Sequence, residues 1–297
     1  MKRRDVLKSA VAGAAALAAP RVVHAEGAKT INFTPHADLA SLDPVWTTAD
    51  ITRNFSLAVF DTLYGYDAGF TVQPQMVEGH VISDDGKQWD LTLRDGLGFH
   101  DGTPVLARDC VATIQRFAKR DPFGGALMKR TDEISAPSDK VIRFKLKQPF
   151  ALLPNALAQV YCAIMPERLA KTDAMQQVTE AVGSGPFKFV ASERVPGQRV
   201  VYVKNDKYVP RKDGVASFNA GPKIVYVDRV VWNFIPDPAT AAAALTQKEI
   251  DWWENPTIDL VPQLRRDKDL TLTVKDRTGE IGCLRFNHLF PPFDNPA

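Results

Sequence analysis

Leu93–Cys110, LRDGLGFHDGTPVLARDC, joins a strand pattern to a helix pattern through two glycine turns. Upstream, Trp89, Leu91 and Leu93 alternate with polar residues, the period of a half-buried strand. Asp95-Gly96 and Asp101-Gly102 are turn dipeptides, in which glycine accepts positive φ and aspartate bonds its own backbone. Thr103-Pro104 then opens a helix over Leu106–Lys119, with Leu106, Cys110, Val111, Ile114 and Phe117 on one face. A chain that turns from a period of two to a period of 3.6 within this span must pack a helix beside a sheet.

The same alternation of patterns continues. Strands are expected at Thr30–Thr34, twice between 70 and 93, and at Val141–Lys147, Pro186–Ala191, Arg199–Lys204, Val225–Ile235 and Leu270–Val274. Helices are expected at Asn54–Leu63, at Ala239–Lys248 with Asp237 as N-cap and Pro238 at N1, and briefly at Val261–Arg266. Gly183-Ser184-Gly185-Pro186 is the clearest break in the middle of the chain. Mixed strands and helices with tight hairpins and longer crossovers indicate an α/β or α+β protein. At 297 residues, two domains are expected.

The net charge of +2 is concentrated at the front. Residues 1–25 hold Lys2, Arg3, Arg4, Lys8 and Arg21 against Asp5, so the remainder is slightly acidic. With no clustered basic face, a nucleic-acid partner is not expected. Lys2-Arg3-Arg4 followed by apolar Ser9–Ala19 reads as an export signal, too short to span a bilayer. Val23-His24-Ala25 suits the signal peptidase, which puts the mature start at Glu26. Arg3-Arg4-Asp5-Val6-Leu7-Lys8 resembles a twin-arginine (Tat) signal. The first cysteine is Cys110, so a lipid anchor at the mature N-terminus is not expected, and the location implied is the periplasm.

Little of the sequence is arranged for catalysis. It contains no phosphate-binding glycine loop, no dinucleotide fingerprint, no H-E-x-x-H and no G-x-S-x-G. Ser184 reads as part of a turn rather than as a nucleophile. Outside the leader, His36, His80, His100 and His288 lack metal-ligand spacing, and His100 suits a surface or capping role. Cys110 reads as a small buried hydrophobe. Neither a cofactor nor a metal is expected, and the chain is read as a non-enzyme. One cluster, Trp252-Trp253-Glu254-Asn255-Pro256, suits a ligand surface of aromatic walls and polar groups. Alternation puts Trp252 and Glu254 on one side and Trp253 and Asn255 on the other. The alternative is that one indole packs in the core while the glutamate is solvated.

Several ordered motifs resemble the extracytoplasmic solute-binding proteins of family 5, the peptide and nickel receptors of ABC importers. They are Leu93–Cys110, Ser41-Leu42-Asp43-Pro44, Asp61-Thr62-Leu63 with Pro74-Gln75-Met76, Val182–Phe189, and Asn205-Asp206-Lys207-Tyr208. Ile235–Pro238 with Leu245–Asp251, and Phe286-Asn287 with Pro291–Asn295, complete the set. The resemblance implies a periplasmic-binding-protein-like, two-lobed α/β fold of type II with an extra inserted domain, its second lobe largely missing from this chain. Residues 26–62 and 180–265 would form the first lobe, 63–179 the insert, and 266–297 the hinge and the opening of the second lobe. It implies a monomeric receptor that delivers a peptide or similar small solute to a membrane permease. A non-binding remnant, or a receptor for a nickel complex, glutathione or an opine, is the alternative. Carried over by motif, ligand contacts would come from Trp46, Thr48, Trp253, Glu254 and Asn255, with Glu280 and Gly282 at the hinge. Trp253 would be a wall, and Glu254 would accept a bond from a ligand amine.

Overall fold

The computed structural model describes residues 29–275, 279 and 282–295. The expected leader, the expected mature start at Glu26 and the hinge candidate Glu280 lie outside the described residues. In chain order the elements are β1 (Thr30–Thr34), α1 (Asp50–Val59), β2 (Tyr64–Tyr66), β3 (Val72–Pro74), β4 (Val77–Ile82) and β5 (Gln88–Leu93). There follow α2 (Ala107–Ala118), α3 (Pro122–Arg130), β6 (Thr131–Ser135), β7 (Val141–Leu146), α4 (Leu153–Leu157) and α5 (Glu167–Ala170). The last are β8 (Phe187–Phe189), β9 (Arg199–Lys204), β10 (Arg229–Asn233), α6 (Pro238–Thr246), β11 (Trp252–Trp253) and α7 (Val261–Leu264).

One sheet runs β11-β1-β10-β9-β8. β1 is parallel to both β10 and β11, while β9 is antiparallel to its two neighbours. Parallel neighbours need a crossover, and α6 supplies it between β10 and β11. The register places Trp252, Phe33 and Trp232 side by side across three strands. Their rings meet edge-on at 4.8 and 5.6 Å, and Trp232 meets Tyr202 of β9 at 4.8 Å. Phe55 of α1 lies against Tyr202, so α1 covers this face. Trp253, one residue on, points to the opposite face. There it joins Ile250, Leu264 and the small Ala241, Ala242 and Ala244 of α6 in a separate apolar cluster.

The second sheet, β4-β5-β7-β6, is wholly antiparallel. Trp89, Leu91 and Leu93 are its buried set on β5, and Ile142, Phe144 and Leu146 on β7, as their alternation requires. α2 lies over it with Ala107, Cys110, Ile114 and Phe117 buried. Its strands all come from residues 77–146, whereas the first sheet takes strands from 30–34 and 187–253. A single apolar core nevertheless runs through both, from Phe33 and Trp232 to Trp89 and Phe144.

Three polar knots tie distant segments of the chain together, and the resemblance motifs supply most of their members. Asp43 of the Leu42-Asp43-Pro44 loop is clasped by Arg116 of α2, with Nη1 and Nη2 donating to its two oxygens at 2.9 and 2.6 Å. Buried Asp61 accepts from Tyr208 Oη at 3.0 Å and from Lys223 Nζ at 2.9 Å. The third knot is built on His100. Its Nε2 donates to the Gly185 carbonyl at 3.0 Å, which also accepts from Asn205 Nδ2 at 3.1 Å. The Gly183 N–H donates to His100 Nδ1 at 3.4 Å. His100 is therefore a joint between distant segments, not the surface group its turn suggests.

That geometry holds the imidazole neutral, and burial pushes its pKa down to about 4. The folded ring binds its proton less well than the unfolded one, near 6.5, so its contribution is complete above that value. It is lost as pH falls towards the folded value, a span worth about 3 kcal/mol. Urea unfolding between pH 7.5 and 4.5 is expected to show a shallower loss of stability in His100→Asn than in the parent. Equal losses would exclude this assignment.

Three expected elements differ, the first being the strand expected at Val225–Ile235, which is confined to Arg229–Asn233. The helix expected at Asn54–Leu63 runs earlier, Asp50–Val59, because Asp61 is held by Tyr208 and Lys223 and the Thr62 carbonyl accepts from the Met76 N–H. The expected strand Leu270–Val274 has no ladder partner among the described residues, and Leu270 and Leu272 instead rest on the α6 cluster.

Candidate ligand-binding edge

In open α/β sheets, ligands settle beyond the carboxyl ends of the strands. Here the parallel pair β1 and β11 ends at Thr34 and Trp253. The ladder extends one step further, with the Glu254 N–H donating to the Thr34 carbonyl at 3.0 Å. This places the Glu254 side chain between the chain leaving β1 and the first turns of α1. Asn54 Nδ2 donates to its Oε1 at 2.7 Å. The backbone N–H and Nδ1 of His36 both donate to Oε2, at 3.0 and 2.7 Å. The glutamate is oriented by three donors and is not a freely solvated chain.

The two tryptophans divide as alternation predicts. Trp253, the expected wall, is 9% exposed and packed under α6, whereas Trp252 is 51% exposed. The reason is register: pairing with Phe33 sets Trp252 at the end of an aromatic row on the edge strand, past the cover of α1. Asn255 is exposed. Trp46 is half-buried, with the Arg120 guanidinium 4.9 Å over its ring and Arg120 Nη2 donating to its carbonyl at 2.8 Å. Thr48 is exposed, and its carbonyl accepts from Tyr161 Oη at 3.2 Å. Thr48 stands two residues before α1, and α1 carries the Asn54 that holds Glu254. Gly282 is exposed with open space about it.

His36 and Asn54 escaped the sequence reading. Their bonds to Glu254 span 218 and 200 residues, and neither lies in a local motif.

A surface cavity of about 500 Å³ lies elsewhere, between α2 and α5, lined by Arg108, Gln115, Lys119 and Lys171 among others. None of the expected contact residues lines it. Arg116, which also borders it, has its donors committed to Asp43 and to the Thr172 and Gln176 carbonyls. Cys110 and Cys162 are wholly buried, and burial pushes both thiols up, so neither is a nucleophile at neutral pH. Among the described residues no group of three or more His, Cys, Asp or Glu is placed to hold a metal. Nor is any helix there long and apolar enough to cross a membrane.

Comparison with known proteins agrees with this architecture. The family model for bacterial extracellular solute-binding proteins, family 5, matches residues 71–297. A Sinorhizobium fredii protein, y4tO, named as a peptide ABC transporter periplasmic-binding protein, is 43% identical over 99% of this chain and 56% of its own length. The structure of Helicobacter pylori DppA with the peptide STSA superposes at a TM-score of 0.65 with 26% identity, over 80% of this chain and 49% of that one. A dipeptide-binding protein from Pseudoalteromonas sp. SM9913 with Met-Leu gives 0.70 at 22% identity, over 90% and 55%. The chain spans about half the length of the curated relatives it matches. The motifs, the shared fold and the family match agree: the chain belongs to the bacterial extracellular solute-binding proteins of family 5.

Proposed function

We infer that this chain supplies the first ligand-gripping lobe of an exported receptor that carries a peptide or similar small solute to an ABC permease. The observation that carries this reading is the 43% identity, across 99% of the chain, to a protein named for peptide transport. Residues 26–62 and 180–265 are the discontinuous lobe, 63–179 the insert that shares its core, and 266–297 the path to the second lobe. Export follows from the Tat-like leader, and the receptor acts as a monomer in the periplasm. Its role is binding and delivery, without catalysis. Trp252 takes over the wall role expected of Trp253, with Trp46, Thr48, Asn255, Glu280 and Gly282 as the remaining contacts and Glu254 at the same edge. Closure of two lobes excludes water and strengthens the few polar bonds made inside.

A thermal-shift series tests this. A ligand at about one hundred times its Kd stabilises by about 2.7 kcal/mol, or several degrees in Tm. Di- and tripeptides are expected to raise the melting temperature, with a change in Trp252 fluorescence. If only glutathione, an opine or a nickel chelate does so, the solute class is corrected. If none does, the receptor reading fails for this chain.

A further inference from the structure

Resting on that solute-binding reading, we propose that His36 makes the polar contact to the ligand and that Glu254 acts through it as a positioning residue. A carboxylate only accepts hydrogen bonds, so the 2.7 Å approach of His36 Nδ1 to Glu254 Oε2 puts the imidazole proton on Nδ1. The backbone N–H of the same residue donates to the same oxygen at 3.0 Å. Ring and main chain thus grip one atom, and the imidazole cannot turn without releasing it. In the neutral ring Nε2 is then an acceptor. It has no hydrogen-bond partner among the described residues and is not buried.

The carboxylate is more committed than the imidazole. Asn54 occupies Oε1 and His36 occupies Oε2 twice. The two side chains are 29% and 25% exposed, so both border solvent at the carboxyl edge of β1 and β11. Of the two, the ring nitrogen is the polar atom with nothing bonded to it. A carboxylate on Nδ1–H fixes the tautomer and the ring orientation, the arrangement by which outer groups aim an imidazole. The ligand group that fits is a hydrogen donor, an ammonium or a peptide N–H. A carboxylate end of the ligand would face this lone pair and be rejected.

The test uses ¹⁵N-imidazole NMR on the purified chain at pH 8, with the di- or tripeptide that raises the melting temperature most. The apo spectrum is expected to show His36 protonated at Nδ1 and bare at Nε2, and the peptide is expected to move the Nε2 resonance. His36→Ala is expected to weaken binding at least tenfold. Glu254→Ala is expected to do the same while shifting His36 away from the Nδ1–H tautomer, and the double variant to bind no worse than His36→Ala alone. If Glu254→Ala does not fold, the titration of the parent still decides. A peptide that raises the melting temperature but leaves Nε2 unmoved overturns the assignment, as does a double variant whose losses add. If no solute shifts the melt, the receptor reading fails first and this inference falls with it.

Discussion

Replacing Arg116 by alanine is expected to cost about 3–5 kcal/mol, the usual penalty for leaving one member of a buried ion pair alone. The Arg116 and Asp43 side chains are 1% and 0% exposed, so neither charge has water to fall back on. The guanidinium uses its fork on both Asp43 oxygens, while Nε donates to the Thr172 carbonyl at 3.1 Å and Nη2 to that of Gln176 at 2.8 Å. Asp43 also accepts from the Val45 and Val178 N–H groups at 3.0 and 2.9 Å. Without Arg116, a buried carboxylate keeps only those two amides, and two carbonyls lose their donor. A domain is stable by about 5–15 kcal/mol in total, so the loss takes a large share. Arg116→Lys keeps the charge but cannot make the fork, and is expected to recover less than half of the loss. Asp43→Leu combined with Arg116→Met removes both charges and is expected to be more stable than Arg116→Ala. Urea denaturation of the four proteins decides this. A single-variant loss below about 1 kcal/mol would show that the pair does not hold the loop.

That pair also marks where the sequence stops being legible. The elements themselves were readable: Thr30–Thr34 and Arg199–Lys204 occur with the bounds their alternation predicts. Asp237-Pro238 caps α6 as expected, its carboxylate accepting from the Thr240 N–H at 2.7 Å. The same signal stood at Asp121-Pro122 and would have revealed α3, whose Phe123 and Gly124 N–H groups are held by Asp121. Local chemistry of this kind can be read along the chain. What cannot be read is the partner of a polar side chain when that partner is remote. Asp43 meets Arg116 across 73 residues, and Glu254 meets His36 across 218. The motifs signalled that Asp43, Asp61, His100 and Asn205 matter, without showing that they brace the scaffold. For the site, alternation separated Trp252 from Trp253, but only the register against Phe33 decided which indole is open.

The Gly183-Ser184-Gly185 turn is expected to respond in opposite directions to one added methyl group and one removed hydroxyl. A Cβ at Gly183 would stand 2.0 Å from the Val59 carbonyl oxygen, and at Gly185 2.7 Å from the Val59 carbonyl carbon. These are backbone atoms at the end of α1, so no rotamer change relieves the overlap. Nor is the turn free to back away. The Gly185 N–H donates to the Val59 carbonyl at 2.9 Å, and the Gly183 carbonyl accepts from the His100 N–H at 2.9 Å. Overpacking costs about 1–3 kcal/mol, and each displaced hydrogen bond adds about 1. Gly183→Ala is therefore expected to lose about 3 kcal/mol or more, and Gly185→Ala nearly as much. Ser184 lies between them with its Oγ buried and without a partner. Removing that hydroxyl in Ser184→Ala is expected to leave stability unchanged or raise it by about 1 kcal/mol. Chemical denaturation should rank Ser184→Ala at or above the parent and both glycine variants far below. A Gly183→Ala protein within about 1 kcal/mol of the parent would mean that the turn can open, and the joint with His100 would then not be fixed. A serine with no base in hydrogen-bond reach is not activated for attack, so Ser184→Ala is expected to remove no activity from the protein.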